Sequence, residues 1–76
     1  MKYTDDDVAQ VCYEATRAVR LIENRKILLL PWSLMTGNAR EVFTDEIRRI
    51  RNGADADQLG ETERKVIRGI VVALTF

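Results

Sequence analysis

Val11-Cys12-Tyr13-Glu14-Ala15-Thr16-Arg17-Ala18, followed after a linker by Pro31-Trp32, decides how this chain is read. The first stretch has the spacing of one face of an amphipathic helix, with Glu14 and Arg17 one turn apart beside it. Working outward, the helix is expected over Asp5 to Asn24. Thr4 is its N-cap, Asp7 stands three residues on, and Asp5-Asp6-Asp7 suit the positive end of the helix dipole. Val8, Val11, Cys12, Ala15, Ala18, Val19 and Ile22 form the expected buried stripe. Pro31 stops any helix at Leu30 or earlier. The linker Arg25 to Gly37 is too apolar at Ile27-Leu28-Leu29-Leu30 to lie in water. It is expected to cross the helices, with Leu30, Trp32 and Leu34 or Met35 plugging the core. A short strand or a continuation of the first helix are the alternatives there.

A second helix is expected over Ala39 to Arg51, opened by an Asn38–Glu41 capping box and stopped by Asn52-Gly53. Its apolar face is Ala39, Val42, Phe43, Ile47 and Ile50. The other side is charged, with Asp45–Arg49 and Glu41–Arg48 as opposite-sign neighbours. A third helix runs to Leu74, starting either after Asp55, which with Gln58 offers a capping box, or at Glu61 if Gly60 resets it. Leu59, Val66, Ile67, Ile70, Val71 and Leu74 form its core stripe. Val72, Ala73 and Phe76 fall outside that stripe. A helix apolar nearly all round in so short a chain points to a surface shared between copies. The expected architecture is all-α: one compact three-helix domain over residues 1–76, with an apolar Pro-Trp linker between helices 1 and 2.

Composition narrows the function. In 76 residues, 46% hydrophobic, the core supplies roughly 3–5 kcal/mol, so oligomerisation is expected. One cysteine makes an intramolecular disulfide impossible, and no zinc-ligand spacing is present. The absence of histidine removes the usual general base, the Ser/His and Cys/His pairs and the commonest metal ligand. Cys12, mid-helix on an apolar face, reads as a structural thiol. With Gly37, Gly53, Gly60 and Gly69 scattered, there is no phosphate loop, and no enzyme, metal or cofactor is expected. The polar, acidic start Lys2 to Asp7 has no signal-peptide pattern, and Ile27 to Leu30 is too short to span a bilayer. The cytoplasm of a bacterium or an infected host cell is the expected compartment. The formal charge is zero, which disfavours general nucleic-acid binding through Arg48, Arg49 and Arg51. Nine of the twelve cations are Arg, a bias that suits bidentate pairing with phosphate or carboxylate and stacking on flat rings.

The order of a helix reading Val-Cys-Tyr-Glu-Ala-Thr-Arg-Ala, a Pro-Trp and a helix with Arg40 near its start resembles the ryanodine-receptor-type repeat domain. Asn52-Gly53 through Leu59-Gly60-Glu61 extend the likeness. That small helical module occurs in giant calcium channels and, alone, in short bacterial and bacteriophage proteins. The chain departs from the pattern at Tyr13 and Thr16, where the family commonly has His and Asn, and at Gly60, where it usually has His. The resemblance implies no ion conduction. Related prokaryotic domains accompany nucleotide-sensing defence systems, which by analogy implies a binder or sponge for an anionic nucleotide-like signal.

Two functions follow. In the first, a non-catalytic, homo-oligomeric module holds such a ligand: Arg17 and Arg20, flanked by Glu14, pair with phosphates, Trp32 or Tyr13 stacks on a base, and Arg40 or Arg64 closes the site. Trp32 as a core plug and Glu14–Arg17 as a structural ion pair are the competing readings. In the second, the chain docks a host protein as inhibitor or adaptor, through the mixed-charge second helix and the apolar third.

Overall fold

The computed structural model describes residues 3–23, 30–54 and 60–75. It is all-α: α1 (Asp5–Ile22), a 3₁₀ turn (Trp32–Leu34), α2 (Gly37–Arg51) and α3 (Glu61–Thr75). Among the described residues there is no strand, and no helix is long and apolar enough to cross a membrane. The expected end of the first helix at Asn24, the Ile27–Leu29 run, the Asp55–Gln58 cap, Leu59 and Phe76 lie outside the described residues.

Local chemistry sets the helix ends. Thr4 and Asp7 form a reciprocal capping box on α1, so two of the orphan N–H groups at the helix start are satisfied. The expected Asn38 cap of α2 is corrected: Thr36, in extended conformation, accepts the Ala39 N–H at 3.2 Å, and the helix starts at Gly37. Both residues can cap; the one whose backbone is extended at that point does so. At the other end Asn52 is the C-cap and Gly53 has φ 101°, a left-handed conformation that favours glycine. Of the two starts weighed for α3, the structure has the one at Glu61.

The core consists of Val8, Ala9, Cys12, Tyr13, Trp32, Ile47, Ile50, Ile67 and Val71, with Met35, Phe43, Ile70 and Leu74 packed against it. Ile47 and Ile67 are wholly buried, each contributing about 1.5–3 kcal/mol. The buried stripe of α1 is turned from the expected one. Ala9, Tyr13 and Thr16 are inside, while Val11 and Ile22 are exposed. Thr16 can be buried because its hydroxyl donates to the Cys12 carbonyl at 2.9 Å, and the Tyr13 hydroxyl donates to the Leu30 carbonyl. On α2, Val42 is 71% exposed rather than core, and Thr44 is buried, donating to Asp6 at 3.2 Å. In the linker, Trp32 enters the core and Met35 flanks it, but Leu30 and Leu34 face outward.

The charged face of α2 also pairs differently from expectation. Arg48 joins Asp45 and Asp5, Arg51 joins Asp5 at 2.8 Å, and Arg49 lies 3.7 Å from Glu46. The first turn of α1 therefore holds the last turns of α2. Arg48 first, and Arg51 after it, hold the Asp5 carboxyl below the usual carboxylate range.

Candidate functional site

The motif residues of α1 and the Pro-Trp turn meet in one latch. Glu14 Oε1 accepts the Trp32 backbone N–H at 2.9 Å, and Oε2 meets Arg17 at 2.6 Å. The bond from Trp32, and then the one from Arg17, hold the Glu14 carboxyl below its usual range. On the far side of the turn, Arg40 donates to the Trp32 carbonyl at 2.9 Å and lies 5.7 Å from the centre of its ring. The turn is thus clamped from α1 by a carboxylate and from α2 by a guanidinium, each matched to the backbone group it meets.

Beneath the clamp lies a three-ring cluster. Tyr13 is 5.5 Å from both Trp32 and Phe43, and Trp32 is 6.3 Å from Phe43, all tilted or edge-on. Tyr13 and Trp32 are 6% and 8% exposed, so their broad faces meet neighbouring side chains rather than solvent. Burial pushes the Tyr13 hydroxyl above its usual value. It also pushes the Cys12 thiol up to about 11, which leaves little thiolate at neutral pH.

The structure brings Tyr13, Glu14, Arg17, Trp32 and Arg40 together. Arg20 points elsewhere: its Nε meets Glu63 on α3 at 3.0 Å, and Glu63 is 2% exposed. This pair ties α1 to α3 across 43 residues of sequence. Arg64 is next to Glu63 on α3, makes none of the latch hydrogen bonds described above, and its Nε is buried with no hydrogen-bond partner. A burial of Glu63 was not readable from sequence, where it stands in the charged run Glu61–Lys65.

Two surfaces flank this frame. The first is a polar groove of about 550 Å³ between α1 and α2, bordered by Trp32, Arg40, Asp6, Asp7 and Glu41. Three carboxylates against one guanidinium give it a negative field, which opposes the approach of a phosphate. The second is a cleft of about 310 Å³ between α2 and α3, lined by Met35, Val42, Phe43, Ile47, Ile50 and Ile67 with Glu46 at its rim. A second hollow of about 330 Å³, bordered by Arg68, Val71 and Val72, shares Ile50 with it. Val42 and Val72 are 71% and 58% exposed. The cleft exists because α1 packs closely on both other helices while α2 and α3 touch only lightly. Sequence periodicity placed Val42 in the core and so missed it; the exposed Val72 was the available sign.

Among the described residues no group of three or more His, Cys, Asp or Glu side chains is placed to hold a metal ion. No family model matches the chain, and neither a curated protein nor a solved structure matches it.

Proposed function

We propose that this chain is a non-catalytic protein-interaction module that docks through the α2–α3 cleft. The observation that carries this reading is a pair of mainly apolar hollows that share Ile50, one lined by the exposed Val42 and the other by the exposed Val72, with Glu46 and Arg68 as their charged members. Burial of apolar surface is the main driving force for such docking. The surface that fits is itself apolar and helical with a mixed-charge rim. In support, the cations and rings first considered for a nucleotide-like anion have internal partners: Arg17 with Glu14, Arg20 with Glu63, Arg40 with the Trp32 carbonyl, and Trp32 with Tyr13 and Phe43.

The ryanodine-receptor-type resemblance enters this reading as a proposed origin of the scaffold, because the residues that carry it build the latch. A nucleotide-like ligand is the second reading, favoured by one observation, the buried Nε of Arg64 without a partner.

The test places a photo-cross-linking side chain at Val42 in the cleft and, separately, at Leu21, which is 61% exposed but lies outside it. Docking through the cleft gives one discrete protein adduct from position 42 and none from position 21. No adduct from position 42, combined with a nucleotide that raises the melting temperature, would replace this reading by the second.

A further inference from the structure

We infer that the occupant of the α2–α3 cleft is a second copy of this chain, docked about a twofold axis passing close to Ile50. This rests on the docking reading above and names its partner.

Three observations converge. The two hollows share Ile50, with the exposed Val42 lining one and the exposed Val72 lining the other. A twofold rotation about the shared residue lays the Val42 end of each copy on the Val72 end of its mate, the self-complementary arrangement that an isologous dimer requires. The rim charges follow the same symmetry: Glu46 borders the first lobe and Arg68 the second. The rotation therefore opposes acid and base twice, whereas a parallel side-by-side arrangement would oppose like charges.

The area that such a dimer needs is a modest share of the chain. The smallest stable interfaces bury about 1,200 Å² in total, or about 600 Å² per partner. The chain exposes 5381 Å², so about a ninth of it must be covered. The helices that border the two hollows are fifteen residues each, about 22 Å long.

The experiment is sedimentation equilibrium on the full chain between 1 and about 200 µM, with helicity and melting followed by circular dichroism. The parent is expected to dimerise. Val42→Glu and Val72→Glu, both at exposed positions, are expected to give folded monomers. Glu46→Arg and Arg68→Glu each place like charges together at two symmetric contacts and should weaken the dimer about tenfold. The double exchange Glu46→Arg/Arg68→Glu should return the dissociation constant to within about threefold of the parent.

A parent that is monomeric throughout overturns the inference, as does a dimer indifferent to Val42→Glu and Val72→Glu. A double exchange no better than the singles overturns the twofold register. A monomeric parent whose position 42 still cross-links to a different protein would remove the second copy and leave the docking reading standing. A monomeric parent with no adduct would remove both.

Discussion

Replacing Trp32 by Ala separates an indole that holds the fold together from one that serves as a binding platform. The ring is 8% exposed and sits against Tyr13 and Phe43. Truncating a buried Trp to Ala costs about 3–5 kcal/mol through lost transfer energy and the cavity left behind. A domain of this size holds about 3–5 kcal/mol in all, so the variant should be largely unfolded at 25 °C. With a urea dependence of about 1 kcal/mol per molar, its midpoint should fall by about 3 M or more. The assay is a urea titration followed by far-ultraviolet circular dichroism, since the substitution removes the chain's one Trp fluorophore. Leu34→Ala is the internal control: it lies in the same 3₁₀ turn but is 66% exposed, and should cost no more than about 0.5 kcal/mol. A Trp32→Ala protein as stable as Leu34→Ala would refute the assignment of Trp32 to the core.

Other substitutions and conditions test the remaining supports of the fold. Thr36→Ala should cost about 1 kcal/mol in the same titration, and Asn38→Ala only a few tenths, because Thr36 accepts the Ala39 N–H; the reverse order would restore Asn38 as the cap. Arg20→Met removes the guanidinium that meets the buried Glu63 carboxylate and should cost at most about 3 kcal/mol, the low end for a broken buried pair, because Arg20 is a quarter exposed and Glu63 keeps a further interaction. Arg20→Met/Glu63→Leu should recover most of that loss, and a single variant as stable as the parent would show the pair to be immaterial. Acid should destabilise the protein through Asp5 and Glu14. Both carboxyls titrate lower folded than unfolded, so their contribution is complete above their usual values of 3.8 and 4.5 and is lost as pH falls through the folded values. Equilibrium stability measured from pH 6 to pH 2 should therefore decline below about 4.5, and less steeply in Asp5→Asn.

What could be read in advance was the chemistry carried by neighbours in sequence. The Thr4–Asp7 box, the Gly53 stop and the helical placement of Ile47 and Ile67 depend on residues within a turn or two of one another. Thr36 was missed because Asn38 offers equal side-chain chemistry, and only the path of the chain out of the 3₁₀ turn decides between them. Tyr13 and Thr16 were placed off the buried stripe because their polarity was counted without their acceptors. The acceptor for Tyr13 is 17 residues away, and the one for Thr16 is the carbonyl one turn back. The burial of Glu63 has no sign among its neighbours in sequence, because its partner Arg20 lies 43 residues earlier. Within the candidate site, Glu14–Arg17 was visible as a pair, but its hold on the Trp32 N–H depends on where the linker returns. The cleft depends on the distance between two helices that share few direct contacts, a quantity that no periodicity encodes.

The same thin α2–α3 contact connects stability to assembly. α1 has close neighbours on two sides, whereas Ile50 and Ile67 border a cleft that nothing in the described chain fills. A second copy laid there would complete the apolar enclosure on the side where a single chain is weakest, and folding would then be coupled to protein concentration. Above the dimer dissociation constant, each tenfold rise in concentration adds about 1.4 kcal/mol per dimer, or about 0.7 kcal/mol per chain. In a domain of this length 1 kcal/mol moves the melting temperature by about 4–8 °C, so the expected rise is about 3–6 °C per decade. Val72→Glu should abolish that dependence while lowering the melting temperature of concentrated samples to that of the folded monomer. A melting temperature that stays flat across two decades in the parent would mean that the cleft adds nothing to the fold through self-association.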